Sequence, residues 1–291
     1  MQTIPEIADR FLALRAQLDR VIMGQERVKT LAITSLLAGG HMLVEGVPGT
    51  GKTLLSLTLA KLLGCRFRRI QFTPDLMPSD LVGANVFNQK SQEFVFRAGP
   101  VFTDILLADE INRTPPRTQA ALLEAMQENA VTIDGVRHDV SNVFTVFATQ
   151  NPVELEGTYP LPEAQRDRFL FKINIDFPEA DDETRMLEEY AAGRRLHDDI
   201  VAALEPVISA EDLLRARTTV AAEVRVEPNI IRYIQELVAR TRRDEAVQIG
   251  AGPRASIALL EGSRAAAALN GRGFITPDDV KSLLKIGRAH V

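Results

Sequence analysis

His41-Met42-Leu43-Val44-Glu45-Gly46-Val47-Pro48-Gly49-Thr50-Gly51-Lys52-Thr53 passes from an apolar, strand-like run into a glycine-punctuated loop, and then into a helical stretch that begins at Lys52. Gly46, Val47, Pro48, Gly49, Thr50, Gly51, Lys52 and Thr53 fit the pattern GxxxxGK[ST], between a strand and a helix where that pattern has its physical meaning. Glycines let the loop curl until several backbone N–H groups point at one anion, and the helix adds its positive N-terminal end. Lys52 then reaches the outer phosphates and the Thr53 hydroxyl is a magnesium ligand. The segment therefore predicts a nucleoside triphosphate site, with ATP and Mg2+ as ligands.

Outward from this loop the chain alternates. Apolar residues at helical spacing (Ile7, Phe11, Leu14, Leu18) predict an amphipathic helix over 4–21, and a second helix is expected over 26–38, closed by Gly39-Gly40. Strand-like runs recur as HMLVEG, FRRIQF, DILLADE and NVFTVFATQ, separated by helical stretches over 52–63 and 117–128. Such alternation predicts an α/β fold, an αβα sandwich around a parallel sheet covered on both faces. Two segments break the alternation: residues 86–99 and AVTIDGVRHDV have the strand, polar turn, strand pattern of hairpins, the second with Asp134-Gly135 at its turn. Beyond residues 176–179 the strand signal ends and the chain becomes rich in Ala, Arg and Leu, with a helix-start signal at Thr276-Pro277-Asp278-Asp279. We expect a nucleotide-binding core over 1–178 and a smaller all-helical unit over 179–291. The closing IGRAHV does not continue the helix that Thr276 starts. It matches what one reading frame of a sequencing-library adapter would encode, and residues 286–291 are read as an artefact on a truncated gene, with an ordinary frayed tail as the other reading.

Composition narrows the function classes. With 45% hydrophobic and 25% charged residues, the chain reads as a soluble globular protein. The 34 Lys+Arg against 39 Asp+Glu leave a net charge of -5, so no overall pull toward nucleic acid is expected, although a local basic loop could still provide one. The charged N-terminus has no uninterrupted apolar stretch, which predicts no membrane insertion and a cytoplasmic location. One cysteine, Cys65, rules out an intramolecular disulfide and is expected as a small buried apolar residue; the four histidines show no zinc-site spacing.

Further candidate site residues follow strand-like runs. Ile105-Leu106-Leu107-Ala108-Asp109-Glu110 is an apolar strand ending in two carboxylates: Asp109 can orient the magnesium shell and Glu110 can polarise an attacking water. Asn151 follows the strand NVFTVFATQ, where its amide could hold that water or the γ-phosphate; a turn residue before Pro152 is the alternative.

Taken together, GVPGTGKT, FTPDLMPSDLVG, LLADEINRTPPRTQAALLEAMQE, FATQNPVELEGTYPLPEAQRDRFLF and GPRASIALLEGSRAAAALNGRGFITPDDV resemble the AAA+ superfamily and, within it, the MoxR family. The resemblance runs from about Val21 to Val280. It implies an AAA+ core followed by an all-α lid, and it adds roles for single residues. Arg168 matches the arginine finger that reaches a neighbouring subunit's site, with Arg166 at a position that is usually apolar in the motif, so which of the two points at phosphate is open. Arg254 matches the lid's sensor arginine, which couples nucleotide state to lid angle. Gln25 lies where relatives line the adenine pocket, or in a simple turn. The hairpin bearing Phe87, Phe94 and Phe96 matches the insertion of the helix-two-insert clade; these rings either grip a partner or pack the hairpin on its own domain. Arg113 and Arg117 are either intersubunit contacts or solvated helix-end charges.

The implied function is ATP hydrolysis in a homo-oligomeric ring, expected as a hexamer, acting as a chaperone in protein-complex maturation or metal-cofactor insertion. Expected partners are further copies of the chain, a client protein complex and a von Willebrand factor A domain protein. Competing readings are a magnesium-chelatase-like subunit, a nucleic-acid remodeller of the same clade, a P-loop small-molecule kinase, and a nucleotide-gated binding protein with negligible turnover.

Overall fold

A computed structural model describes residues 3–47, 49–152, 157–193, 201–247 and 249–284. Pro48 and residues 153–156, 194–200, 248 and 285–291 lie outside the described residues, and the expectation of an artefactual end at 286–291 falls among them.

Helices α1 (Ile4–Asp19) and α2 (Glu26–Ala38) lead into β1 (Met42–Gly46) and α3 (Lys52–Leu62), close to the sequence expectation. Next come β2 (Phe67–Gln71), the short α4 (Pro78–Val82), β3 (Gly83–Asn88), β4 (Glu93–Ala98) and β5 (Ile105–Asp109). The chain continues through α5 (Pro116–Glu128), β6 (Ala130–Ile133), β7 (Val136–Asp139), β8 (Thr145–Gln150), α6 (Glu163–Arg166) and β9 (Phe171–Ile175). The main sheet has five strands in the order β2-β5-β8-β1-β9, all pairing in parallel.

Its inner strands read as unbroken apolar runs because both faces are covered. Met42, Val44, Ile105, Leu107 and Phe147 face a core shared with α1, α2, α3 and the C-terminal helices. Leu43, Leu106, Ala108, Val146 and Ala148 face the other core, with Leu122, Leu123 and Met126 of α5. The fifth strand, β9, is absent from the sequence expectation. It is an edge strand in which Phe171, Ile173 and Ile175 are buried while Lys172 and Asn174 are not, a half-exposed alternation inside a segment read for its arginines.

Both predicted hairpins form. The first begins three residues earlier than expected, at Gly83, where a Cβ would come within 2.2 Å of the Arg97 carbonyl oxygen, so only glycine lets β3 close on β4. The second turns at Asp134 (φ 48°) and Gly135 (φ 80°), the two left-handed residues that a tight hairpin requires. The hairpins lean on each other: Asn85 Nδ2 donates to Asp134 Oδ2 at 2.7 Å, and the Phe96 ring stacks on His138 with centroids 4.1 Å apart. Phe87 and Phe94 make an edge-to-face pair near the turn and stay 50% and 72% exposed. The three aromatics therefore divide, one packing inward and two facing outward.

After β9 the named elements are all helical: α7 (Ala180–Ala191), α8 (Ala210–Glu223), α9 (Pro228–Thr241), α10 (Pro253–Leu269) and α11 (Pro277–Leu284). Thr276 and Asp279 begin α11 as expected, with Thr276 N–H donating to Asp279 Oδ2 at 2.8 Å, and Arg272 adds an ion pair to that carboxylate. Arg217 of α8 reaches into the core, its Nε donating to the Leu36 carbonyl near the end of α2 at 2.8 Å and its Nη2 to Thr145 Oγ1 at 3.1 Å. Cys65 is half-buried rather than fully buried, and burial pushes its thiol up to about 12. Among the described residues no helix is long and apolar enough to cross a membrane.

Candidate nucleotide site

The loop after β1 has the backbone the sequence predicts. Gly49 (φ 85°) and Gly51 (φ 84°) occupy the left-handed region and a Cβ at either would meet nothing within 4 Å, so this bend of the chain opens outward at the N-terminus of α3. Thr50 Oγ1 donates to the Val47 carbonyl at 3.0 Å. Lys52 Nζ donates to the Gly46 carbonyl at 2.6 Å. Burial lowers the Lys52 ammonium below the usual lysine range, opposed by the charges of Asp109 and Glu110. Lys52, Asp109 and Glu110 thus sit within one electrostatic site, and Thr53 stands half-buried beside Lys52 at the start of α3.

Sheet order explains the convergence. Parallel strands deliver their C-terminal ends to one edge, and β8 lies between β5 and β1. Asp109 ends β5, and Asn151 follows β8, whose Gln150 pairs with Glu45 of β1. Asp109 and Asn151 are both buried, at 9% and 5% exposure. Thr149 Oγ1 donates to Asp109 Oδ1 at 2.6 Å and accepts from Glu110 N–H at 2.8 Å. Glu110 has left-handed backbone (φ 56°), uncommon for a residue with a Cβ, which turns the chain sharply after the strand. Its Oε2 accepts from Gln71 Nε2 at 2.7 Å and pairs with Arg113 Nε at 3.1 Å. Arg113 is therefore a partner of the acidic end of β5.

A cleft of about 220 Å³ opens beside the loop, walled by Val21, Ile22, Met23, Leu54, Phe177 and Met186. Gln25, in left-handed conformation, donates from Nε2 to the Thr50 carbonyl at 3.1 Å and so ties the cleft wall to the phosphate loop. Lys29 holds the same wall from behind: its buried Nζ donates to the Ile22 carbonyl at 3.1 Å and pairs with Asp19 at 2.5 Å and Glu26 at 2.7 Å.

Arg168 and Arg254 come together, but elsewhere. Both line a second cleft with His41, Asp167 and Leu170. Leu170 N–H donates to the His41 carbonyl, and β9 pairs with β1 from Met42↔Phe171 to Gly46↔Ile175. This cleft therefore lies at the start of β1, while the phosphate loop follows its end. About 13 Å of strand separates them, more than an arginine side chain spans. The Nε atoms of Arg166 and Arg168 are buried without a hydrogen-bond partner among the described residues.

The sequence reading missed Arg69, Gln71, Thr149 and Lys29. Arg69 and Gln71 share a face of β2, an alternation visible in FRRIQF, but only the pairing of Gln71 with Asp109 reveals what they face.

A strand, a glycine-rich loop and a helix N-terminus facing the acidic end of an inner strand define a P-loop ATPase. Residues 41–171 match the model of the ATPase family associated with various cellular activities (AAA), and residues 239–290 match the AAA lid domain. The chain is 47% identical to YeaC of Bacillus subtilis over 94% of its own length and 83% of that protein. It is 42% identical to the chaperone MoxR1 of Mycobacterium tuberculosis, over 91% of this chain and 70% of that one. Protein MoxR of Methylorubrum extorquens is 31% identical over 94% and 84% of the two chains. The crystal structure of a Cytophaga hutchinsonii protein assigned as an ATPase superposes with a TM-score of 0.86 at 39% identity, covering 95% of this chain and 85% of that one. The chain belongs to the MoxR family of AAA+ ATPases, an α/β core carrying a helical lid, and it hydrolyses ATP.

Proposed function

We propose that the chain hydrolyses magnesium-bound ATP at contacts between copies of itself in a closed ring, a hexamer, and acts in the cytoplasm as a chaperone that remodels a client protein complex. The adenine base occupies the 220 Å³ cleft beside Gln25, and the triphosphate lies on the backbone of Gly46, Val47, Gly49, Thr50 and Gly51 with Lys52 on its outer oxygens. The donor set fits magnesium. One buried carboxylate, Asp109, and one hydroxyl, Thr53, are hard oxygen donors of the kind magnesium takes, and these two residues would hold it. Among the described residues no cluster of three or more His, Cys, Asp or Glu side chains offers a dedicated metal cage. Bound there, magnesium would supply neutralisation of charge on the phosphate oxygens. Glu110, on giving up Gln71 and Arg113, polarises the attacking water, and Asn151 orients it.

The ring rests on one observation: Arg168 lies at the wrong end of β1 to serve its own phosphate loop. A guanidinium that stabilises the γ-phosphate must then come from a neighbour, and head-to-tail contacts of this kind form a ring where the rotation between copies closes. Arg254 in the same cleft joins Arg168 on the neighbour's nucleotide, so the lid arginine reports across the contact. Client proteins, or a von Willebrand factor A domain partner, meet the exposed Phe87 and Phe94. The name of the mycobacterial relative, a chaperone, supports that role.

Glu110→Gln keeps the nucleotide contacts and removes the base. Sedimentation of this variant with ATP should show a ring-sized particle with turnover down at least about 100-fold. A particle that stays monomer-sized with ATP would refute the ring.

A further inference from the structure

We propose that Arg69 is an internal competitor of magnesium for the carboxylate of Asp109, a positioning residue that sets the magnesium concentration at which the nucleotide site fills. This rests on the magnesium-ATP reading above. Gln71 of β2 pairs directly with Asp109 of β5 and Arg69 with Leu107, so side chains 69, 71, 107 and 109 project from one face of the sheet. The diagonal step brings Arg69 Nη2 to 2.7 Å and Nε to 3.2 Å from a single oxygen, Asp109 Oδ2. Oδ1 is taken by the Thr149 hydroxyl at 2.6 Å.

The two sides of the ion pair are unequal. The Asp109 side chain is 12% exposed and that of Arg69 50%. A buried carboxylate needs a cation or hydrogen-bond donors close by, whereas a half-exposed guanidinium can swing into water at small cost. Two cations cannot share the near side of Oδ2. Magnesium must displace Arg69 from it, and the displaced charge stays near enough to oppose the metal.

The neighbouring arginines supply controls within the same strand region. Arg68 projects from the opposite face of β2 and is exposed, and Arg66 pairs with Asp104 at 3.0 Å, away from the site.

The test titrates magnesium, from a chelated baseline, into the full chain holding a fluorescent ATP analogue at fixed concentration, and reads nucleotide binding rather than turnover. Arg69→Gln should lower the magnesium midpoint about two- to fivefold, the scale of one exposed ion pair. Arg69→Lys, which keeps the charge, should stay near the parent, and Arg68→Gln should leave the midpoint in place. An unchanged or raised midpoint in Arg69→Gln overturns the proposal, as does an equal shift in Arg68→Gln, which would mark a general charge effect. If the parent itself binds the analogue without regard to magnesium, the site reading fails before Arg69 is at issue.

Discussion

A single hydroxyl holds both acidic residues at the end of β5. Thr149 Oγ1 donates to Asp109 Oδ1 at 2.6 Å and accepts from the Glu110 backbone N–H at 2.8 Å, which also steadies the left-handed turn at Glu110. Val fits the same space without either bond, so Thr149→Val leaves one buried carboxylate oxygen and one N–H short of a partner. A hydrogen bond to a charged group contributes about 2 kcal/mol, and the variant should lose stability on that scale. Turnover should fall roughly tenfold or more, because Glu110 is no longer fixed in direction, and each tenfold corresponds to about 1.4 kcal/mol of barrier. Thermal melting and a steady-state ATPase assay check the two effects separately, and parental values in both would mean the hydroxyl has no such role. Nothing in the local string singles out Thr149, because its importance lies in lying between Asp109 and Glu110 across a strand pairing.

Between elements, His41 joins the start of β1 to α5 and β8. Its Nε2 contacts the Met126 carbonyl at 3.1 Å and its Nδ1 accepts from Val146 N–H at 3.0 Å, an arrangement that needs a neutral ring with its proton on Nε2. Burial lowers the imidazole from 6.5 to about 4. The unfolded chain therefore binds a proton in this window that the folded chain refuses. The stability from a neutral His41 is fully present above pH 6.5 and is lost as the pH falls from there toward 4, amounting to about 3 kcal/mol. Denaturant unfolding across that range should show a slope that His41→Gln flattens, and an equal slope in the two proteins would contradict the assignment. Elements were legible in the sequence to the extent that their periodicity was unambiguous. The helices α1, α2, α3 and α5, four strands and the Asp134-Gly135 turn follow from spacing and turn chemistry. The edge strand β9 was not legible, because its half-exposed alternation sits inside a segment whose arginines drew a different reading.

At the scale of the whole molecule, the parallel sheet has two edges with different work. Strand ends carry the phosphate loop, Asp109, Glu110 and Asn151, and strand starts carry Arg168 beside Arg254. The phosphate loop and the acidic pair were legible as local strings. The separation of Arg168 from its own loop was not, since it depends on β9 running alongside β1, a long-range pairing that no short motif encodes. From that separation comes the central claim that each active site is completed by a neighbour. The most direct test mixes two inactive proteins, Lys52→Ala, which keeps its arginine, and Arg168→Ala, which keeps its phosphate loop. In a ring, a Lys52→Ala subunit lends Arg168 to the intact loop next door, so the mixture should recover a substantial fraction of parental ATPase activity while each variant alone stays near zero. A mixture no more active than the two variants measured apart, or full activity from Arg168→Ala alone, would contradict the account.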